Sequence, residues 1–262
     1  MIFHPPSWLP AITEDLSTAG TVGDFALHGL PSTASEPAVD EPITLVSAVT
    51  QKTKTNRQLA EDVEALATGL AHDLQWSPNE PARGGKVIAV LSENTVDYLT
   101  YCWATHRLRG TCLLLHASTS PAENAKHMKH SHCNILILSP ALVESGRAVA
   151  AALGEADLRV YLTEPVPTGI YPTSTENNGN GNDNPKTIDE LLDLGKALGP
   201  LPALNWSPTE AQYRVAYLCA TSGTSGAQVI RIKPPSLEDT LADLKDLISI
   251  EASAFDPQRH YH

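Results

Sequence analysis

The sequence predicts an α/β fold: an open, parallel-rich sheet of βαβ units with helices on both faces. Short apolar runs of strand length alternate with segments of about a dozen residues that have a helical period. The runs are apolar at consecutive positions, as in 86–91 (KVIAVL) and 134–139 (NILILS), which is typical of strands buried on both faces. The units are too few to close a barrel, so an open sheet is expected.

The elements can be assigned in order along the chain. An amphipathic helix is predicted from Gln58, because apolar residues recur at helical spacing up to Leu74 and Thr55 with Gln58 matches a capping box. Further strands are expected at 86–91, 111–116, 134–139, 158–163 and 214–219. Further helices are expected at 95–109 (capped by Asn94, ended by Gly110), from the Ser120–Glu123 capping box to about 132, at 140–153 and at 187–198.

Three segments fall outside this pattern. Residues 1–42 are rich in Pro, Ser, Thr and Gly and are expected to be an irregular lead-in. Residues 164–186 are rich in Asn, Gly and Pro, which predicts a flexible loop. Residues 234–262 combine an acidic helical pattern (LEDTLADLKDLI) with a polar tail. The folded domain is therefore expected at residues 43–233.

The charge balance excludes some classes of function. The chain has 18 Lys and Arg against 30 Asp and Glu, a formal net charge of −12, which disfavours general electrostatic binding to nucleic acid. No apolar run reaches the roughly 18–20 residues of a membrane helix, and the first residues lack the pattern of a secretory signal. A cytoplasmic protein is expected. Its cysteines are expected to be buried free thiols in a reducing compartment: Cys102, Cys112, Cys133 and Cys219.

One segment has the composition of a phosphate-binding loop. Residues 217–228 read YLCATSGTSGAQ, an apolar strand that runs directly into a loop. Glycines allow a tight turn that brings backbone N–H groups close to an anion, and hydroxyls add donors. The spacing of a Walker A loop is absent, and a flexible turn between strands is the alternative interpretation. The candidate phosphate-binding residues are Thr221, Ser222, Gly223, Thr224, Ser225 and Gly226.

This loop resembles the signature of the adenylate-forming (AMP-binding) superfamily, TSGT[ST]G-x-P-K after an apolar strand. Residues 221–226 match that pattern at every position. The superfamily comprises acyl- and aryl-CoA ligases (4-coumarate–CoA ligase among them), luciferases and the adenylation domains of non-ribosomal peptide synthetases. The blocks LAEDVEALATGLA, KVIAVLSENTVDYLTYCWATHRLRG and CLLLHASTSPAENAKHMKHSHCNILILS are similar to successive blocks of its N-terminal domain, so the resemblance covers residues 43–226.

The resemblance implies ATP and Mg²⁺ as cofactors, with coenzyme A in a complete enzyme. Such an enzyme activates a carboxylic acid with ATP to an acyl-adenylate and then transfers the acyl group to a thiol. The loop from Thr221 to Gly226 would close over the β- and γ-phosphates and, with Mg²⁺, stabilise charge on the leaving pyrophosphate. Nucleotide and a small carboxylic acid are the expected partners, and no catalytic residue is assigned.

The sequence departs from the superfamily after the loop. Gln228 and Val229 stand where the pattern has Pro and Lys, and Arg231 or Lys233 is a candidate replacement for the missing cation. The superfamily's later motifs and its C-terminal domain have no counterpart, so an incomplete N-terminal domain without independent turnover is expected. The alternatives are a non-enzymatic remnant that binds nucleotide or an intact relative, and a truncated gene-model product. Sheet exposed in either case favours self-association.

A second cluster of chemically versatile residues lies at 127–133. His127, His130, His132 and Cys133 have donor atoms that suit zinc, but only the first two share a helix face. A polar helix end whose histidines complement the helix dipole is the favoured interpretation, and no metal site is assigned. Cys219, two residues before the loop, is expected to be a packed thiol rather than a nucleophile.

Overall fold

The computed structural model describes residues 20–28, 43–81, 85–154, 158–166, 185–205, 214–221 and 228–232. Within these ranges the strands are β1 Ile43–Val46, β2 Thr53–Thr55, β3 Val87–Leu91, β4 Thr111–Leu114, β5 Ile135–Leu138, β6 Arg159–Leu162, β7 Tyr217–Thr221 and β8 Gln228–Ile232. The α-helices are α1 Val22–His28, α2 Asn56–Leu74, α3 Tyr98–Arg107, α4 Pro121–His130, α5 Val143–Leu153 and α6 Ile188–Leu198.

A six-stranded sheet is the main element of the described part of the chain. Its strand order is β6–β5–β3–β4–β7–β8, and every neighbouring pair is parallel except β7 and β8. Each parallel neighbour is reached through a helix-containing crossover, as parallel pairing requires. β1 and β2 form a separate antiparallel pair. The predicted open, parallel-rich sheet is confirmed.

Helices cover both faces of this sheet because alternate strand residues are apolar on each side. Ile88 and Val90 of β3 pack in a core cluster with side chains of α2, α3 and α6. Ala89 and Leu91, the alternate residues of the same strand, pack in a second cluster with α4 and α5. All four are fully buried. The helix layers therefore follow from the unbroken apolar run of β3, which the sequence predicts.

Three of the helix starts follow from local capping chemistry. Thr55 and Gln58 form the predicted capping box of α2, in which the Thr55 hydroxyl accepts from the Gln58 N–H at 3.2 Å. Thr187 and Glu190 form a second capping box at α6. Ser120 caps α4 at 3.3 Å, but the Glu123 carboxylate pairs with Lys126 at 2.9 Å instead of completing the predicted box.

The predicted start of α3 is wrong. Asn94 does not cap the helix, which begins at Tyr98 with Asp97 in the N-cap position and no side-chain cap. The Asp97 carboxylate instead accepts from Lys52 and Lys54, each at 2.6 Å. The side chain of Asp97 thus forms long-range ion pairs, whereas the sequence predicts a local cap by Asn94.

Three further boundaries differ from the prediction. The lead-in expected to be irregular contains α1, whose first turn is held by reciprocal bonds between Thr21 and Asp24 at 2.8 and 3.0 Å. The helix predicted at 140–153 opens as a 3₁₀ turn, Pro140–Leu142. The strand predicted at 214–219 is displaced to Tyr217–Thr221. Most of the predicted flexible loop at 164–186, namely residues 167–184, and the predicted acidic tail at 234–262 lie outside the described residues.

Candidate functional site

The carboxyl ends of β3, β4 and β7 lie side by side at one edge of the sheet. The helix after β3 packs on one face of the sheet and the helix after β4 packs on the other. The chain leaves β3 toward β4 over one face and leaves β5 toward β6 over the other face, in opposite directions along the sheet. The topological switch point therefore lies between the adjacent parallel strands β3 and β5, and its crevice lies outside their carboxyl ends. Open α/β sheets bind their ligands in such crevices. This edge, which we call the switch edge, is the candidate site.

Thr221 is the last residue of β7, so the predicted phosphate loop begins at the switch edge. β8 returns antiparallel from the far end of that loop, with Gln228 opposite Thr221. The other predicted loop residues, Ser222, Gly223, Thr224, Ser225 and Gly226, lie outside the described residues. Their role in binding phosphate stays a prediction, and the start of the loop is at the edge where such a role requires it.

Glu93 and Ser139 form a polar pair at the same edge. Ser139 follows β5, and its hydroxyl donates to Oε2 of Glu93, just after β3, at 2.5 Å. Ser139 is buried and Glu93 is exposed. A buried donor therefore orients an exposed carboxylate beside the crevice. A single carboxylate of this kind is a usual protein ligand for Mg²⁺ when phosphate oxygens and water complete the coordination.

His116 and Ser118 also lie at the switch edge, and the sequence did not single them out. They follow β4, and Nδ1 of His116 lies 3.2 Å from the Ser118 main-chain nitrogen and 2.7 Å from its hydroxyl. The signal in the sequence is their position directly after an apolar strand. That signal is weak by itself, because the sequence does not reveal that β4 is the neighbour of β7.

Among the residues that the structure describes, no cation stands at the position where the superfamily signature has lysine after the loop. Val229 stands opposite Ala220, next to the start of the loop. Arg231 stands opposite Leu218, three residues before Thr221, so its backbone is about 10 Å from the loop along the strand. This register disfavours Arg231 as a substitute. Lys233 lies outside the described residues.

The histidine cluster on α4 is not arranged as a metal site. His127 is buried with 3% exposure, whereas His130 and His132 are exposed. The interpretation of a polar helix end is therefore wrong for His127, because α4 turns this residue toward the buried side of the helix. No group of three or more potential metal ligands occurs within the described residues.

All four cysteines are free thiols. Cys102, Cys112 and Cys133 are buried, and Cys219 in β7 is half-buried. Burial raises the pKa of Cys219 and raises that of Cys133 to about 12. Thiols with raised pKa values are poor nucleophiles at neutral pH, which supports the packed-thiol interpretation of Cys219.

A small cavity lies at the opposite, amino-terminal edge of the sheet. Its volume of about 20 Å³ accommodates roughly one water molecule. His106 lines the cavity and binds the Ala216 carbonyl through Nε2 at 2.9 Å. Burial lowers the pKa of His106 to about 4, so the ring is neutral at physiological pH. This cavity is too small for a nucleotide or an organic acid.

The topology defines an open-sheet α/β protein with a mainly parallel sheet. Comparison with protein families matches residues 33–228 to AMP-binding enzyme. The chain therefore belongs to the AMP-binding enzyme family. None of the helices within the described ranges has the length and apolar character needed to cross a bilayer.

Curated relatives include fungal acyl-CoA ligases. The chain is 37% identical over 228 residues to the acyl-CoA ligase easD of Emericella nidulans, covering 87% of this chain and 39% of that protein. It is 34% identical over 244 residues to the acyl-CoA ligase cm3C of Cordyceps militaris, covering 87% of this chain and 36% of that protein. The chain thus spans about two fifths of the length of these relatives.

Solved structures share the fold. The anthranilate CoA ligase AuaEII, in complex with anthranoyl-AMP, matches with a TM-score of 0.55 at 14% identity, over 80% of this chain and 33% of that chain. Apo MatB from Rhodopseudomonas palustris matches with a TM-score of 0.53 at 16% identity, over 85% of this chain and 36% of that chain. At these identities the likeness concerns the fold alone.

Proposed function

We propose that this chain is the nucleotide-binding portion of an acyl-CoA ligase and that it binds ATP at the switch edge. One observation supports the proposal: β7 ends at Thr221, the first residue of the sequence TSGTSG, at the carboxyl edge of the sheet, and open α/β sheets bind ligands at that edge. Family membership and the similarity to fungal acyl-CoA ligases support the same assignment.

The loop would act through donors rather than through a nucleophile. Backbone N–H groups and hydroxyls from Thr221 to Gly226 are suited to the β- and γ-phosphates, where negative charge develops as pyrophosphate leaves. Mg²⁺ would supply further charge stabilisation when bound, and Glu93, which accepts from Ser139, would be a carboxylate able to hold it. The Ser139 hydroxyl would hold that carboxylate in place.

The reaction of the whole enzyme would join a carboxylic acid to coenzyme A in two steps. The carboxylate attacks the α-phosphorus of ATP, which forms an acyl-adenylate and releases pyrophosphate. The thiol of coenzyme A then attacks the acyl carbon and releases AMP. We expect the 262-residue chain to bind nucleotide without completing this sequence. Its free thiols fit a reducing compartment, so we expect it in the cytoplasm.

Two measurements on the purified 262-residue chain test the proposal. The first is the thermal shift of the protein with MgATP, which we expect to be positive and to be abolished by Thr221→Ala and Gly223→Ala. The second is ATP–pyrophosphate exchange with a panel of aryl and fatty acids, for which we expect no signal. A wild-type chain that shows neither a nucleotide-dependent shift nor exchange would contradict nucleotide binding. Exchange above background would instead assign adenylation activity to this chain itself.

A further inference from the structure

We propose that Cys102 and Cys112 are a site of reversible covalent modification, at which oxidation of the folded chain forms a disulfide between α3 and β4. Cys102 lies in α3, and Cys112 is the second residue of β4. The inference is independent of the proposed function, because it concerns two thiols of the core and not the nucleotide. The loop signature includes neither of them.

The sulfur atoms of the two residues are already in contact. The Cys112 S–H donates to Sγ of Cys102 at 3.5 Å, and the residues are ten positions apart in the chain. A disulfide needs an S–S distance of about 2.05 Å, so the two atoms have to approach by about 1.5 Å. The turn between α3 and β4 holds the two elements close together, since the Gly110 N–H donates to the Thr105 carbonyl at 2.9 Å. Closure therefore requires a small movement of two elements that are already packed.

Proximity, and not burial alone, distinguishes this pair from the other buried thiol. Cys133 is 5% exposed, but it packs in the core cluster on the other face of the sheet. Its Sγ contacts two main-chain carbonyls, those of Val87 at 3.4 Å and Ile135 at 3.2 Å. The sheet thus separates Cys133 from Cys102 and Cys112, so Cys133 is a matched control for a buried thiol without a thiol partner.

The contact gives the two thiols different roles in oxidation. The hydrogen bond with Cys102, together with burial, raises the pKa of Cys112 well above its usual value, so Cys112 stays protonated. A thiolate is the attacking species in thiol–disulfide exchange. Cys102 is therefore expected to react first with the oxidant, and Cys112 is expected to be the thiol that completes the disulfide.

A low-molecular-weight disulfide such as glutathione disulfide is a sufficient oxidant. The Cys102 thiolate attacks one of its sulfur atoms, which forms a mixed disulfide and releases one glutathione thiolate. Cys112 then loses its proton and attacks Sγ of Cys102, which breaks the mixed disulfide and releases the second glutathione. The two protein thiols together lose two electrons and two protons, and glutathione disulfide is reduced to two glutathione thiols.

Burial makes this reaction slow. Cys102 is 1% exposed and Cys112 is fully buried, so the oxidant reaches them only when α3 opens locally. Disulfide exchange without a catalyst takes minutes to hours even for accessible thiols. A reducing compartment keeps both residues as thiols, and the disulfide is expected when the glutathione pool becomes oxidising.

Peptide mapping of the purified 262-residue chain tests the inference. Trypsin cleaves after Arg107 and Arg109, which leaves Cys102 in peptide 87–107 and Cys112 in peptide 110–126. The chain is incubated for about a day in a glutathione redox buffer without denaturant. The remaining thiols are then alkylated, and the unreduced digest is analysed by mass spectrometry. We expect peptides 87–107 and 110–126 to be joined, and dithiothreitol to separate them.

A variant with two thiols provides the second measurement. Cys133→Ala combined with Cys219→Ala leaves Cys102 and Cys112 as the remaining cysteines, and we expect its free-thiol count to fall from two to zero with the same joined peptides.

Three results would overturn the inference. The first is a folded wild-type chain that keeps both thiols free, and the second is a disulfide from either residue to Cys133 or Cys219. The third is a crosslink that forms only at urea concentrations that unfold the chain, because the folded contact would then play no part. None of these results bears on nucleotide binding.

Discussion

Gly195 of α6 packs directly against the main-chain carbonyl of Ala65 in α2. A Cβ atom at Gly195 would lie well inside 3.0 Å of that oxygen, and a Cβ at Gly69 would meet the Leu191 carbonyl in the same way. In both cases the obstacle is backbone, which cannot rotate aside as a side chain can. The two glycines therefore allow α2 and α6 to lie close together over the same face of the sheet.

Gly195→Ala is expected to destabilise the chain by about 2–3 kcal/mol. Alanine is the better helix former by about 1 kcal/mol, but the forced separation of two packed helices outweighs this gain. Urea unfolding followed by circular dichroism measures the difference. Lys196→Ala, at the exposed neighbour, is the control and is expected to change stability by less than about 0.5 kcal/mol. Equal or greater stability of Gly195→Ala would mean that the helices are further apart than described.

Lys54 is expected to contribute far more to stability than Lys52, although both lysines bind Asp97. Lys54 is 5% exposed and donates to Asp62 at 2.7 Å, Asp97 at 2.6 Å and Thr100 at 3.3 Å. Lys54→Met leaves two partly buried carboxylates without this cation and is expected to cost about 2–3 kcal/mol. The Lys52 side chain is 58% exposed, so Lys52→Met is expected to cost less than about 1 kcal/mol.

The comparison of these two losses of stability tests the effect of burial. Both substitutions remove one charge and keep a side chain of similar length, so their difference isolates burial from net charge. Thermal and urea unfolding of both variants at the same ionic strength provide the measurement. Similar losses for the two variants would argue against the buried position of Lys54 between α2 and α3.

The start of α3 could not be predicted from the neighbouring residues alone. The Thr55–Gln58 box was predictable because its partners are three residues apart and no other group competes for them. Asn94 was an equally local candidate for a cap, yet the helix starts at Tyr98. The carboxylate of Asp97, in the N-cap position, is bound by lysines more than 40 residues earlier in the chain. Interactions over such distances are not visible in the pattern of any single segment.

The same limit applies to the candidate site: its local features could be predicted from the sequence, and its long-range strand pairing could not. A loop at the end of an apolar strand is a local feature, so the placement of Thr221 at the carboxyl end of β7 could be anticipated. The neighbour of that strand could not, since β4 lies more than 100 residues earlier and their pairing is set by the whole sheet. His116, which follows β4, lies near the end of β7 through this pairing alone.

Asp73 is expected to stabilise the chain in a pH-dependent manner. It accepts from the Tyr161 hydroxyl at 2.5 Å and pairs with Lys186 and, at 3.4 Å, with Arg159. Burial by itself raises the pKa of Asp73, but hydrogen bonds from Lys186 and Tyr161 bring the pKa below its ordinary value. The folded chain therefore favours the ionised carboxylate. The resulting stability is present above pH about 4 and is lost as pH falls through the lowered pKa.

Asp73→Asn is accordingly expected to cost about 1–2 kcal/mol at pH 7, and the difference from wild type is expected to shrink below pH about 4. Urea unfolding between pH 3 and pH 7 measures the dependence. Asp193→Asn, at an exposed position of α6, is the control and is expected to show a small difference at every pH. A loss in Asp73→Asn that stays constant across this range would rule out ionisation as its cause.

Val229→Lys is expected to increase the affinity for MgATP. The superfamily signature has lysine at this position, and Val229 stands opposite Ala220 at the start of the loop. A lysine there would add a charge-assisted contact to the phosphates, and an increase of about threefold to tenfold is expected. Val229→Met supplies similar length without charge and is expected to bind as wild type does. Calorimetric titration of both variants decides the matter, because equal affinities would show that a cation at position 229 does not reach the nucleotide in this chain.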